Sequence, residues 1–150
     1  MFYQTDPELQ FDADEDCFFF DILKIHEIVG KHEFTREQVK QLRMVSVRAD
    51  FMGQDGYLNA KGISGIATVA SGLTKHHVYI KRMGSNDNYN HIIALYERRT
   101  NSGKLVRHFV LADFEKPHRL IAFDPWSKEG SRTGREGYIV GYRYIWGEEV

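Results

Sequence analysis

The chain of 150 residues carries one cysteine, Cys17, and three acidic residues stand directly before it: Asp14, Glu15 and Asp16. Phe18-Phe19-Phe20 follow it. Thiol-based nucleophilic chemistry needs three parts: a sulfur, an imidazole to take its proton, and a group that orients the imidazole. His108, in Arg107-His108-Phe109-Val110-Leu111, is the candidate imidazole. Asp124, in Phe123-Asp124-Pro125-Trp126, is the candidate orienting carboxylate. Each has a plain structural reading beside the chemical one. A lone cysteine next to an apolar run is usually a small buried residue, and Asp-Pro is a common turn element.

The element that must present the sulfur is the stretch from Asp12 to Gly30. Phe18, Phe19, Phe20, Ile22, Leu23, Ile25, Ile28 and Val29 wrap most of the way around a helix, and a helix apolar on most sides belongs in the middle of a fold. Gly30 supplies a C-terminal stop. The pattern therefore predicts a buried helix over about 16–30 with a thiol at its N-terminal tip. Unpaired N–H groups and aligned peptide dipoles favour a thiolate there. The acidic residues push the other way, since nearby negative charge disfavours a second anion.

The rest of the chain supplies two more helices and then a sheet. Pro7 breaks any earlier helix. Thr35-Arg36-Glu37-Gln38 is a capping-box pattern and opens a helix through Val39, Leu42 and Val45. Asp55-Gly56 marks a turn, and Asn59 can cap a third helix that ends near Gly72. After Gly72 the apolar period changes to two. Strands are predicted at 77–80, 91–99, 105–112, 120–123 and 138–146, with a turn at Asn101-Ser102-Gly103 and a polar loop over 128–137. Helices first and antiparallel strands second imply one α+β domain with the central helix packed on a C-terminal antiparallel sheet. Neighbouring antiparallel strands would bring His108 and Asp124 together.

Composition narrows the class. With 42% hydrophobic and 27% charged residues the chain has the make-up of a globular protein. A formal net charge of −1 argues against a dedicated nucleic-acid binder. One cysteine forbids an internal disulfide and fits a reducing, cytoplasmic setting. The first ten residues lack the basic and apolar regions of a signal peptide, and no apolar run approaches the roughly 18 residues of a membrane span. The oligomeric state is left open. Histidines offer a rival chemistry, but His26 and His32 are six apart rather than the four that a zinc helix needs. His76-His77 with His91 have no carboxylate or cysteine pair at ligand spacing. No metal or other cofactor is expected. The loop residues Lys128, Arg132 and Arg135 would suit an acidic group, against the default of a solvated loop.

The cysteine at a helix tip, His108-Phe109-Val110 in a strand and Asp124-Pro125 in the next resemble the papain-like cysteine peptidase superfamily. Within it they are most similar to the type that processes bacteriocin leaders. A looser likeness connects the Cys-aromatic-aromatic start to an uncharacterised family of spirochaete and phage proteins. The first resemblance implies a papain-like fold and a peptide or amide hydrolase working through a thioester acyl-enzyme. In it Cys17 is the nucleophile, His108 the general base and Asp124 the orienting group. The substrate would be a leader peptide, an isopeptide or a cell-wall peptide, and acyl transfer uses the same triad. It also implies a glutamine shortly before the cysteine as oxyanion donor. Gln10 is the match, one position out of register, and Phe18 stands where the bacteriocin type commonly has glycine. Trp126, beside Asp-Pro, is a candidate for lining the substrate cleft. The departures at Gln10 and Phe18 sustain an alternative, a catalytically inactive binding or structural module of the same fold.

Overall fold

The computed structural model describes residues 2–9 and 15–150. Four helices, α1 (Cys17–Gly30), α2 (Arg36–Arg48), α3 (Gly62–Thr74) and the short α4 (Arg132–Glu136), accompany five strands. The strands are β1 (Val78–Met83), β2 (His91–Arg99), β3 (Leu105–Ala112), β4 (Ile121–Phe123) and β5 (Tyr138–Glu149). All pair antiparallel in one sheet of order β1-β5-β2-β3-β4. The chain is thus an α+β protein. Among the described residues no helix is long and apolar enough to cross a membrane.

The α1 helix is the interior element its composition predicts. Phe19, Phe20, Ile22, Leu23 and Ile25 are fully buried, and each such side chain contributes about 1.5–3 kcal/mol. They join Val39 and Leu42 of α2, Ile66 and Ala70 of α3, and Ile80, Ile93, Leu111 and Ile145 of the sheet in one core. Ile28, expected in that core, is exposed. A second apolar cluster, Ile92, Ala94, Tyr96, Val110 and Ala112, occupies the other face of the sheet. Strand alternation separates the two sets: Leu95 and Phe109 face the helices, and Tyr96 and Val110 face away.

The helix ends differ instructively from expectation. The Thr35 hydroxyl accepts from Gln38 N–H and Gln38 returns the bond to Thr35 N–H, the capping box that the sequence predicts. Asn59 does not cap α3; its side chain accepts from Lys61 N–H and donates to the Asp50 carbonyl, holding the preceding loop. The left-handed residues after α1 and α3 are Lys31 (φ 54°) and Lys75 (φ 63°), not Gly30 and Gly72. Gly30 is required for space instead: a Cβ there would lie 2.9 Å from the His32 ring and 3.0 Å from Val78. The 128–137 loop contains α4, whose first turn is closed by the Ser131 hydroxyl accepting from Gly134 N–H.

Candidate active site

Cys17 is the first residue of α1, and it is 5% exposed. Its sulfur is placed by three constraints. Arg43 of α2 grips Asp16, the residue just ahead, through Nε at 2.9 Å and Nη2 at 3.0 Å. Gly56 packs on the Glu15–Asp16 backbone at φ 94°, where a Cβ would come within 2.5 Å of Asp16 Oδ1 and 2.7 Å of the Glu15 carbonyl. The third is β3. β4 pairs with Leu111 and Ala112, no strand among the described residues covers the β3 edge beyond them, and Phe109 N–H donates to Cys17 Sγ at 3.4 Å. The acidic approach to the sulfur is therefore answered at Asp16 by a guanidinium.

The adjacent residue on β3 is His108, buried and paired across the strands with Tyr96. Its Nε2 lies 2.6 Å from Asp124 Oδ1. Asp124 is an acceptor only, so Nε2 carries the proton and Nδ1 is the basic nitrogen. Among the described residues Nδ1 has no hydrogen-bond partner, and no hydrogen bond joins the ring to the sulfur. Asp124 also accepts from Trp126 N–H at 3.0 Å, Ser131 N–H at 2.8 Å and Ser131 Oγ at 2.7 Å. Burial works to raise its carboxyl, but His108 and Ser131 outweigh it and hold the group down at about 2. The carboxylate is thus a fixed anion that sets the imidazole tautomer.

The sulfur sits in a different electrostatic setting. Burial, assisted by Asp21 one turn along α1, pushes the Cys17 thiol up to about 12, against the N–H groups of Phe109, Phe18 and Cys17 itself. At neutral pH the resting group is a thiol. Asp21 is itself fully buried, with neither carboxyl oxygen hydrogen-bonded; the Leu111 N–H faces it without closing a bond. Burial and then nearby Asp124 push its carboxyl well above its ordinary value.

Cys17 lines a cavity of about 670 Å³ between the helix tip, the 56–64 segment and the helix-side face of the sheet. Phe18, Ile63, Leu95 and Phe109 form apolar wall, and Phe18 meets Phe109 edge-on at 4.9 Å. Trp126 does not line this cavity. Its ring stands edge-on to His108 at 6.4 Å, and its backbone N–H donates to Asp124. Gln10 lies outside the described residues. The N-terminal segment runs past the same corner, with Gln4 N–H bonded to the Pro125 carbonyl and Thr5 to that of Trp126.

The structure therefore brings His108 and Asp124 into direct contact and sets Cys17 against the peptide that follows His108. Sequence reasoning missed Ser131, Arg43 and Tyr57, which stands at the cavity with Cys17. Ser131 was findable as an N-cap type residue ahead of Arg132-Thr133-Gly134; the other two needed the tertiary fold. His26, His32 and His76 do gather, with rings 4.9 and 4.6 Å apart. Among the described residues no three His, Cys, Asp or Glu are arranged to hold a metal ion.

An α+β fold whose antiparallel sheet meets a helix-tip thiol at the β3 edge defines the class of this molecule. No protein-family model, no curated protein and no solved structure matches the chain.

Proposed function

We propose that the chain is a papain-like thiol hydrolase that cleaves a peptide or amide bond through a thioester. The observation that carries the reading is the hydrogen bond from Phe109 N–H to Cys17 Sγ, next to a histidine whose Nε2 is fixed on Asp124. That arrangement leaves Nδ1 as the basic nitrogen of the imidazole.

The chemistry follows from those protonation states. The sulfur starts as a thiol, so its proton passes to His108 Nδ1 as sulfur bonds to the carbonyl carbon. The oxygen takes the negative charge and is stabilised by the N-terminal end of α1. Collapse breaks the C–N bond, and the imidazolium gives its proton to the leaving amine. Water, deprotonated by His108, then attacks the thioester and returns acid and free thiol. Asp124 stays ionised throughout and stabilises the imidazolium. Acceptance of an amine in place of water would make the same site an acyl transferase.

The test is covalent capture. A pool of peptidyl acyloxymethyl ketones is incubated with the protein and adducts are mapped by mass spectrometry. The expected adduct is on Cys17, forms at least about 100-fold more slowly in His108→Ala, and is absent in Cys17→Ala. Labelling of equal speed in His108→Ala would defeat the reading. It would favour the second one, a non-catalytic binding module, whose own support is the burial of the thiol and the missing sulfur–imidazole hydrogen bond.

A further inference from the structure

The cavity beside Cys17 has a charge distribution that catalysis by the triad does not explain. Among the described residues Lys81, Arg82, Arg107 and Arg143 line it, against a single carboxylate, Glu15. Arg107 is paired with Glu97 at 2.9 Å. Lys81, Arg82 and Arg143 have no carboxylate within ion-pair distance among the described residues. Register explains how two of them meet. Arg82 pairs with Ile145 on β5, Arg143 lies two residues away on the same strand, and both project to the helix side. Like charges placed together cost free energy unless an anion joins them. The strain is visible at Arg143, which burial and then Arg82 depress below the usual arginine range. Its guanidinium also stands 5.4 Å from the Phe109 ring centre, the residue whose N–H holds the sulfur. Its Nη1 donates to the Tyr142 carbonyl at 3.1 Å, and a guanidinium stacked on an aromatic ring can present its other in-plane donors to a carboxylate.

We propose that this cavity binds an extended peptide segment bearing a carboxylate, which sits on Arg82 and Arg143 while its apolar side chains pack on Phe18, Leu95 and Phe109. The proposal rests on the hydrolase reading for what happens at Cys17, but the binding itself does not need turnover. The carboxylate is an acidic side chain or the free C-terminus of the peptide. A nucleic acid is the competing anion; the apolar walls and the lack of a basic excess over the chain favour the peptide.

The experiment uses the full chain as Cys17→Ala, which binds without reacting. Fluorescein-labelled peptide pools of about ten residues, long enough at ~3.3 Å per residue to cross the cavity, are titrated by fluorescence anisotropy. One pool is Glu-rich and amidated, one has Gln at the same positions and is amidated, and one is the Gln pool with a free C-terminus. A single-stranded oligonucleotide of matching charge is the fourth probe. The expected result is that the Glu pool, the free-carboxylate pool or both bind at least about tenfold tighter than the amidated Gln pool. Whichever gains identifies the carboxylate. The gain disappears in Arg82→Gln and in Arg143→Gln, persists in Lys104→Gln on the distant hairpin turn, and shrinks with added salt. Equal affinity for all three pools, no binding of any of them, or tighter arginine-dependent binding of the oligonucleotide would each overturn the proposal. Charge-selective binding with no covalent capture at wild-type Cys17 would leave this site standing and remove the hydrolase. Capture without charge preference would do the reverse.

Discussion

Arg43, in the middle of α2, closes a two-pronged ion pair on Asp16, one residue ahead of the α1 thiol. Asp16 is fully buried and Arg43 is partly buried. Breaking such a pair leaves an uncompensated charge in the interior, which costs about 3–5 kcal/mol. Arg43→Met is expected to lose that much in urea unfolding. Because Asp16 lies at the α1 tip, Cys17 capture should fall with it. Adding Asp16→Asn should return a substantial part of the stability, since the orphan charge is then gone. An Arg43→Met protein of wild-type stability would show that the pair does not hold the tip.

The resting thiol makes a prediction about reactivity that separates it from a preformed thiolate–imidazolium pair. With Cys17 raised from 9.0 to about 12, its thiolate fraction near neutral pH is about a thousandfold below that of an unshifted thiol. Iodoacetamide should therefore modify the native protein far more slowly than a free thiol, with a rate that climbs about tenfold per pH unit on the alkaline side. Alkylation should be unchanged in His108→Ala, whereas capture by a carbonyl-bearing peptide probe should collapse in the same variant. Fast, His108-dependent alkylation at neutral pH would mean that the imidazole already holds the proton.

Much of this arrangement was legible in the residues, for reasons that also explain what was not. The apolar wrap of 18–29 and the Thr35–Gln38 box are local signals, and α1 and α2 follow them. The alternation in 91–99 and 105–112 with Asn-Ser-Gly between them dictates the β2–β3 hairpin, and a third strand alongside carries Asp124 to His108. The insertion of β5 between β1 and β2 is a long-range choice with no local mark. So is the reach of Arg43 to Asp16. Trp126 misled because proximity in sequence to Asp124 does not fix which side of the histidine the ring covers. The left-handed lysines after α1 and α3 show glycine being read for φ where the fold uses Gly30 for space.

Asp21 is a titration test of the α1–sheet interface. Its carboxyl is raised by burial and then by Asp124, so the folded state holds a proton that the unfolded chain gives up near pH 3.9. Stability from this group is fully present below that value and is lost as pH rises toward its raised folded value. Asp21→Asn keeps the shape and removes the titration. The unfolding free energy of Asp21→Asn minus that of wild type should grow as pH rises above the ordinary carboxylate range and then level off. A difference that stays flat with pH would place an ionised, compensated carboxylate at this position.

His26 titrates with the opposite sign. His26 sits between His32 (Nδ1 to Nε2, 2.7 Å) and the Ser71 hydroxyl (Nε2 to Oγ, 3.2 Å), and Ser71 donates onward to the Ala67 carbonyl at 2.8 Å. With the Ser71 proton on the Ala67 carbonyl, His26 Nε2–H donates to Ser71 and His32 Nε2–H donates to His26 Nδ1. A further proton on His26 Nδ1 would face the His32 N–H. Burial first, then His32 and His76, lower His26 from 6.5 to about 4. The unfolded chain binds the proton at higher pH than the folded one, so stability falls as pH drops from about 6.5 toward 4. That shift corresponds to about 3 kcal/mol at most. Urea unfolding followed across that window should show the loss in wild type, and His26→Asn should flatten it while lowering stability at neutral pH through the broken chain of hydrogen bonds. If the acid-side loss survives unchanged in His26→Asn, the destabilising proton binds elsewhere and this histidine is not the one that opens the α1–α3 contact.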